Sequence, residues 1–104
     1  MAKVKVNPGV CGLLTTISAT SEDGQMATVE ITSECPLVMA YAAEIKELDA
    51  FAECFSHFEG SEVYSAAQRS KMHTACPVPC GIIKCIEVEC SLALPKNVIM
   101  EIEK

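Results

Sequence analysis

Polar and apolar positions alternate from the start of the chain, with Val4 and Val6 set between Lys3 and Lys5, and the run ends at Asn7-Pro8-Gly9. A period of two followed by a turn signal predicts a short strand. The same period returns from Leu13 to Ala19 and from Ala27 to Ser33, with Thr-rich outer positions and Glu22-Asp23-Gly24 between the runs. These segments predict a hairpin. A two-residue Asp23-Gly24 loop would mix buried and solvated faces. A three-residue loop with Gly24 in the left-handed region instead pairs Ser21 with Gln25, Ile17 with Val29 and Thr15 with Ile31. Continued to the open end, that register sets Cys11 opposite Cys35.

Pro36 begins a helical pattern with Leu37, Tyr41, Ile45 and Leu48 on one face, and proline suits a first helical position, which puts Cys35 at the N-cap. Helical composition continues through Phe51, Cys54 and Phe55, with a bend expected near Leu48 to Phe51, until Gly60 breaks it. Ser61-Glu62-Val63 restarts a helix expected to reach the region of Met72, with Val63, Ala66, Ala67 and Ser70 as a small-residue face for close packing. After a Pro-rich loop, Ile82 to Leu94 reads as a long half-buried strand: Ile86, Val88, Cys90, Leu92 and Leu94 alternate with Cys85, Glu87, Glu89 and Ser91. Pro95-Lys96-Asn97 predicts a turn, and Val98, Met100 and Ile102 predict a last strand. The order β-β-β-α-α-β-β implies an α+β fold, a two-layer sandwich whose antiparallel sheet carries its helices on one face. No repeat or linker interrupts it, so residues 1–104 read as one domain.

Composition narrows the partners. Half of the 104 residues are apolar but only 5% are aromatic, so the core must come from Val, Ile, Leu, Ala, Met and Cys. A net charge of -6 without any basic run argues against nucleic acid, whose affinity comes from clustered Lys and Arg. No apolar stretch nears the roughly 20 residues that span a bilayer, so no membrane partner is expected. There is no Ser-His-Asp set, phosphate-cradling glycine loop or carboxylate pair placed for acid-base chemistry. Seven cysteines, an odd count without a secretory leader, point to the cytoplasm, where clustered thiols serve more often as ligands or reactive groups than as staples.

The segment "HTACPVPCGIIKC", residues 73–85, concentrates this chemistry. The first helix runs away from the end of the sheet marked by Cys35, and the helix after Gly60 runs back, returning His73 and Cys76 to Cys11 and Cys35. Cys11, Cys35, Cys76 and Cys80, with His73 as a substitute, supply the three or four donors that zinc or an iron-sulfur unit needs. Three thiolates suit both, so the choice between them stays open. A helix N-terminus at Cys35 would favour its thiolate, less the donor that Pro36 lacks. Simple burial of these cysteines, or a reversible Cys11–Cys35 disulfide, are the competing readings. Cys54 and Cys90 read as core residues, Cys85 as outward-facing, and His57 as a helix-end or surface histidine. Glu87, Glu89, Glu101 and Glu103 read as the solvated face of the sheet.

With Cys11-Gly12 before a hairpin, Cys35 at a helix start and Cys76 after the helical region, the chain resembles the NifU-type iron-sulfur cluster scaffolds, in which three cysteines in this order hold a nascent cluster. That resemblance covers roughly residues 11–76 and implies Cys11, Cys35 and Cys76 as ligands. Leu13 stands where that family has an acidic residue, and a strand pair is expected after Cys76 in place of a terminal helix. The segments "ITSECP" and "CPVPCGIIKCIEVECSLALPK" resemble a small cysteine-rich family of anaerobic bacteria and archaea with no established activity. OsmC-type thiol peroxidases are similar in placing reactive cysteines at helix N-termini, with Arg69 as the only arginine available to activate one.

Three functions remain open. The first is a metal- or cluster-binding module that needs no turnover. The second is a redox protein in which Cys35 attacks and Cys11 or Cys76 resolves. The third is an interaction domain, pairing as a homodimer through an exposed edge strand at Val4 or at Val98 to Ile102.

Overall fold

The computed structural model describes residues 1–104. Strands β1 (Ala2–Val6), β2 (Thr15–Ser21) and β3 (Met26–Ser33) form where the period of two predicts them. With β4 (Glu47–Asp49) they make one antiparallel sheet of order β1-β2-β3-β4. Helices α1 (Pro36–Ala42), α2 (Ala50–Phe55), α3 (Glu62–Arg69) and α4 (Val78–Glu89) complete an α+β architecture. Ile17, Ala19, Ala27 and Val29 are buried on the inner face of the sheet, while Thr20, Thr28, Glu30 and Thr32 stay exposed on the outer one.

The hairpin register differs from the expected one. Ser21 pairs with Ala27 and Ile17 with Ile31, leaving residues 22–25 between the two strands and Met26 outside their ladder. Because the displacement is even, the same residues face the core. Side chains close this wider loop. Asp23 Oδ1 accepts the N–H groups of Gln25 and Met26, both at 2.9 Å, Ser21 Oγ accepts that of Gly24 at 3.0 Å, and Gly24 takes φ +77°. An Asx turn of this kind is a side-chain device, and counting loop residues does not reveal it.

α1 ends earlier than its apolar pattern suggests. Tyr41, Ile45 and Leu48 are buried as expected, but Leu37 is exposed and Val38 takes its place. The chain after Ala42 turns to form β4, tied to β3 by Lys46 C=O accepting from Val29 N–H at 2.8 Å. Asp49 then caps α2 by accepting from the N–H groups of Phe51 and Ala52. Ser61 caps α3, and the buried Glu53 carboxylate accepts from Ser61 Oγ (2.7 Å), Glu62 N–H (2.8 Å) and Val63 N–H (3.0 Å). Val63, Ala66 and Ala67 bury the small-residue face of α3, and Tyr41 Oη donates to Val63 C=O at 2.9 Å.

The largest correction concerns residues 78–102. The expected strand from Ile82 to Leu94 is helix α4 over most of its length, and the expected strand at Val98 to Ile102 is not formed, because residues 94–104 have no regular structure. Steps of four preserve parity, so a helical stripe of Val78, Ile82, Ile86 and Cys90 mimics a period of two. All four are buried, as is Cys85 between them. Pro77 and Pro79 lie at the N-cap and in the first turn, where a missing N–H leaves no broken bond. The helix stops as Ser91 enters the left-handed region at φ 60° and Leu92 N–H reaches back to Glu87 C=O at 2.8 Å.

α4 lies across β1 and β2, antiparallel to β1. Gly81 sits over the last residue of β1: a Cβ there would stand 2.9 Å from Val6 Cγ2 and 3.3 Å from Ile17 Cδ1. At the other end, Glu89 accepts from Ala2 N–H at 2.8 Å and from Ser21 N–H at 3.0 Å. It is therefore no part of a solvated sheet face. The core between these ends is a single cluster of 17 buried residues.

Two expectations follow for stability. Gly81→Ala should destabilise the chain by about 1 kcal/mol, because overpacking against a stiff valine costs more than the helix propensity gained; urea unfolding measures it. Burial pushes the Glu89 carboxyl up, but the N–H groups of Ser21 and Ala2 outweigh that and hold it below its usual range. Its contribution is thus present above the unfolded carboxylate pKa and lost as pH falls through the folded one. Glu89→Gln should cost about 1–2 kcal/mol at neutral pH, and the difference from wild type should shrink as unfolding is repeated below about pH 4.

Candidate thiol site

The pairs Val6–Thr15 and Thr15–Ser33 form one end of the sheet. Three pieces of chain meet there: the loop of residues 7–14 with Cys11, the start of α1 with Cys35, and the start of α4 with Cys76 and Cys80. The last of these is brought in by the antiparallel docking of α4, whose Gly81 rests on Val6.

Local bonds fix Cys35. Thr15 Oγ1 and Ser33 Oγ lie 2.7 Å apart, and Ser33 Oγ accepts the Cys35 N–H at 3.0 Å. Cys35 is the N-cap of α1 without a side-chain cap bond, and its half-buried thiol packs against the core. Beside it, Glu34 N–H donates to Leu14 C=O at 3.0 Å and Leu14 N–H donates to the Glu34 carboxylate at 2.8 Å. This double link ties the end of the Cys11 loop to the end of β3. Cys11 itself is exposed and does not oppose Cys35, because the β2–β3 ladder begins only at Thr15 and Ser33.

Cys76 is half-buried against the core, and its N–H donates to His73 C=O at 3.0 Å. His73 is exposed in the turn between α3 and α4. Cys80 is exposed in the first turn of α4. Tyrosines stand behind both thiols. Burial, with Cys80 as a smaller contributor, raises the Tyr64 phenol, and the deeply buried Tyr41, near Cys76, is raised further, chiefly by burial. Lys84, four residues after Cys80 and therefore on the same side of the helix, pairs with Glu87 at 3.1 Å. Had residues 78–89 been read as helix, that i,i+4 spacing would have placed Lys84 beside Cys80.

No three Cys, His, Asp or Glu side chains are grouped so as to hold a metal ion, and no disulfide joins any of the seven cysteines.

The other three cysteines occupy different surroundings. Cys85, expected to face outward, is fully buried under α4, its Sγ 3.5 Å from Ala2 C=O and 3.7 Å from Ile17 C=O. Burial and the Glu89 carboxylate push its thiol up to about 11, against the N–H groups of Val4 and Ala19. Cys54 is likewise pushed up to about 11 by burial, then by Glu87 and Cys90. Cys90 is buried at the C-cap of α4, and His57 is an exposed helix-end residue, both as expected. The thiolate is the ligand and the nucleophile, so Cys54 and Cys85 are poorly suited to either role.

A family model described as a family of unknown function (DUF6951) matches residues 2–102. No curated protein and no solved structure matches the chain. No helix is long and apolar enough to cross a membrane.

The two thiol environments predict an order of alkylation. Iodoacetamide on the native protein, followed by peptide mass spectrometry, should label Cys11 and Cys80 first. Cys85 and Cys90 should react about a hundredfold more slowly until denaturant is added.

Proposed function

Because the chain belongs to a family of unknown function that lends it no activity, we propose from the rim itself that it is a cytoplasmic binding module for a thiophilic metal. The cargo is zinc or an iron-sulfur unit, held by Cys11, Cys35 and Cys76 with Cys80 or His73 completing the shell. The observation that carries this reading is the direction of α4, which returns Cys76 and Cys80 to the end of the sheet from which Cys11 and Cys35 emerge. The donor chemistry suits such a cargo, since thiolates select zinc and iron-sulfur units over hard cations.

Binding asks for one rearrangement. The loop of residues 7–14 is tied to the sheet at Leu14, and it must fold over the rim to bring Cys11 to the other donors. Metal would then organise the site, displacing thiol protons as it binds, so affinity falls as pH is lowered.

The deciding measurement is metal and acid-labile sulfide analysis on protein purified without oxygen, beside a Cys11/Cys35/Cys76 triple Ala variant shown by circular dichroism to be folded. Near-stoichiometric zinc, or iron with sulfide, that is absent from the variant is the expected result. A metal-free wild type with seven titratable thiols sinks the proposal and leaves the rim cysteines to be read as redox groups or as plain core.

A further inference from the structure

Leu94, Val98, Ile99, Met100 and Ile102 are each between 59% and 90% exposed. They lie in a tail, residues 94–104, that takes part in no backbone hydrogen bond and no ladder. Contiguous apolar side chains left in water mark a surface that another surface covers. The tail also has the period of a strand, with Val98, Met100 and Ile102 on one side and Ile99, Glu101 and Glu103 on the other.

A matching edge exists on the same molecule. β1 is the outer strand of the sheet, and beyond its ladder with β2 the backbone groups of residues 3–6 have no backbone partner. Open edges of this kind accept an added strand. Val4 and Val6 lie half-buried on the α4 side of β1, whereas Lys3 and Lys5 are exposed on the other. A tail strand laid along β1 would extend the apolar side with Val98, Met100 and Ile102, and would set Glu101 and Glu103 beside Lys3 and Lys5. Val98, Met100 and Ile102 would meet the apolar side of β1 and the two glutamates its lysines in either strand direction, with Ile99 the one apolar residue on the charged face.

We propose that residues 98–103 of one copy pair with β1 of a second copy, and reciprocally, so that the chain is a two-fold dimer with exchanged C-terminal strands. The tail's own β1 is near, since Glu89 already holds Ala2 N–H, yet the tail leaves the helix at Ser91 and makes no ladder with it. A second copy supplies the same edge twice over, and each exchange covers one tail. The inference does not rest on the rim thiols binding metal.

Sedimentation equilibrium on the full chain, over an about hundredfold range of concentration, tests it with three variants. The wild type should be a dimer. Met100→Pro, at an exposed tail position where folding of the rest is unaffected, should be a monomer. K3E/K5E should weaken dimerisation by about tenfold or more, and combining it with E101K/E103K should restore it. A monomeric wild type overturns the proposal, whether or not hydrogen exchange finds residues 98–102 protected on their own edge. A dimer that persists in Met100→Pro also overturns it, because the contact must then lie elsewhere.

Discussion

A helix approaches a sheet only as closely as the side chains between them permit, and α4 lies tight against β1 at Gly81, where even a methyl group would collide with Val6. That contact holds the beginning of the helix against one end of the sheet. Glu89 holds the end of the helix against the other, with both carboxylate oxygens bound to backbone N–H groups of β1 and β2. A rod fixed at two points has no freedom of direction. The nearness of the start of α4, which carries Cys80, to the end of β1 is a consequence of this docking, as is the burial of Cys85 beneath the helix.

The same docking divides the cysteines by chemistry. Cys85 lies beneath α4 and Cys54 close to Cys90 and Glu87, and burial together with neighbouring carboxylates keeps both in the protonated form. Cys11 and Cys80 stand in solvent, and Cys35 and Cys76 lie at the border of the core. One residue type thus serves as packing in one region and as accessible sulfur in another. A protein with few aromatic residues needs small apolar side chains for its core, and a buried thiol fills that role as well as valine does.

How far the sequence was legible varied with the type of signal. The first three strands, the proline-led start of α1 and the small-residue face of α3 were readable because each rests on a local pattern that packing then respected. The β2–β3 register was misjudged because the Asp23 carboxylate closes a wider loop than backbone turn types suggest. Yet the even displacement left Ile17 and Val29 inward, so the fold survived the error. The structure sets the start of α4, at Gly81, against Val6 at one end of the sheet, a contact made by a helix where the alternation suggests a strand. The pairing of Cys11 with Cys35 was not legible, since Leu14 meets Glu34 in the observed register, which continued one step would set Leu13 opposite Cys35.

The two C-terminal strands were misread for different physical reasons. At Val78, Ile82, Ile86 and Cys90 the spacing of four satisfies both periods at once, and length together with the prolines in the first turn favours the helix. At Val98, Met100 and Ile102 the spacing of four also runs through Leu94, Val98 and Ile102, yet residues 94–104 form neither helix nor ladder. Period-two alternation expresses a demand for one buried face, and within a single chain this segment buries none. A strand signal that finds no neighbour inside its own molecule is information about what lies outside it, and the unpaired edge of β1 is where the chain offers the complementary surface.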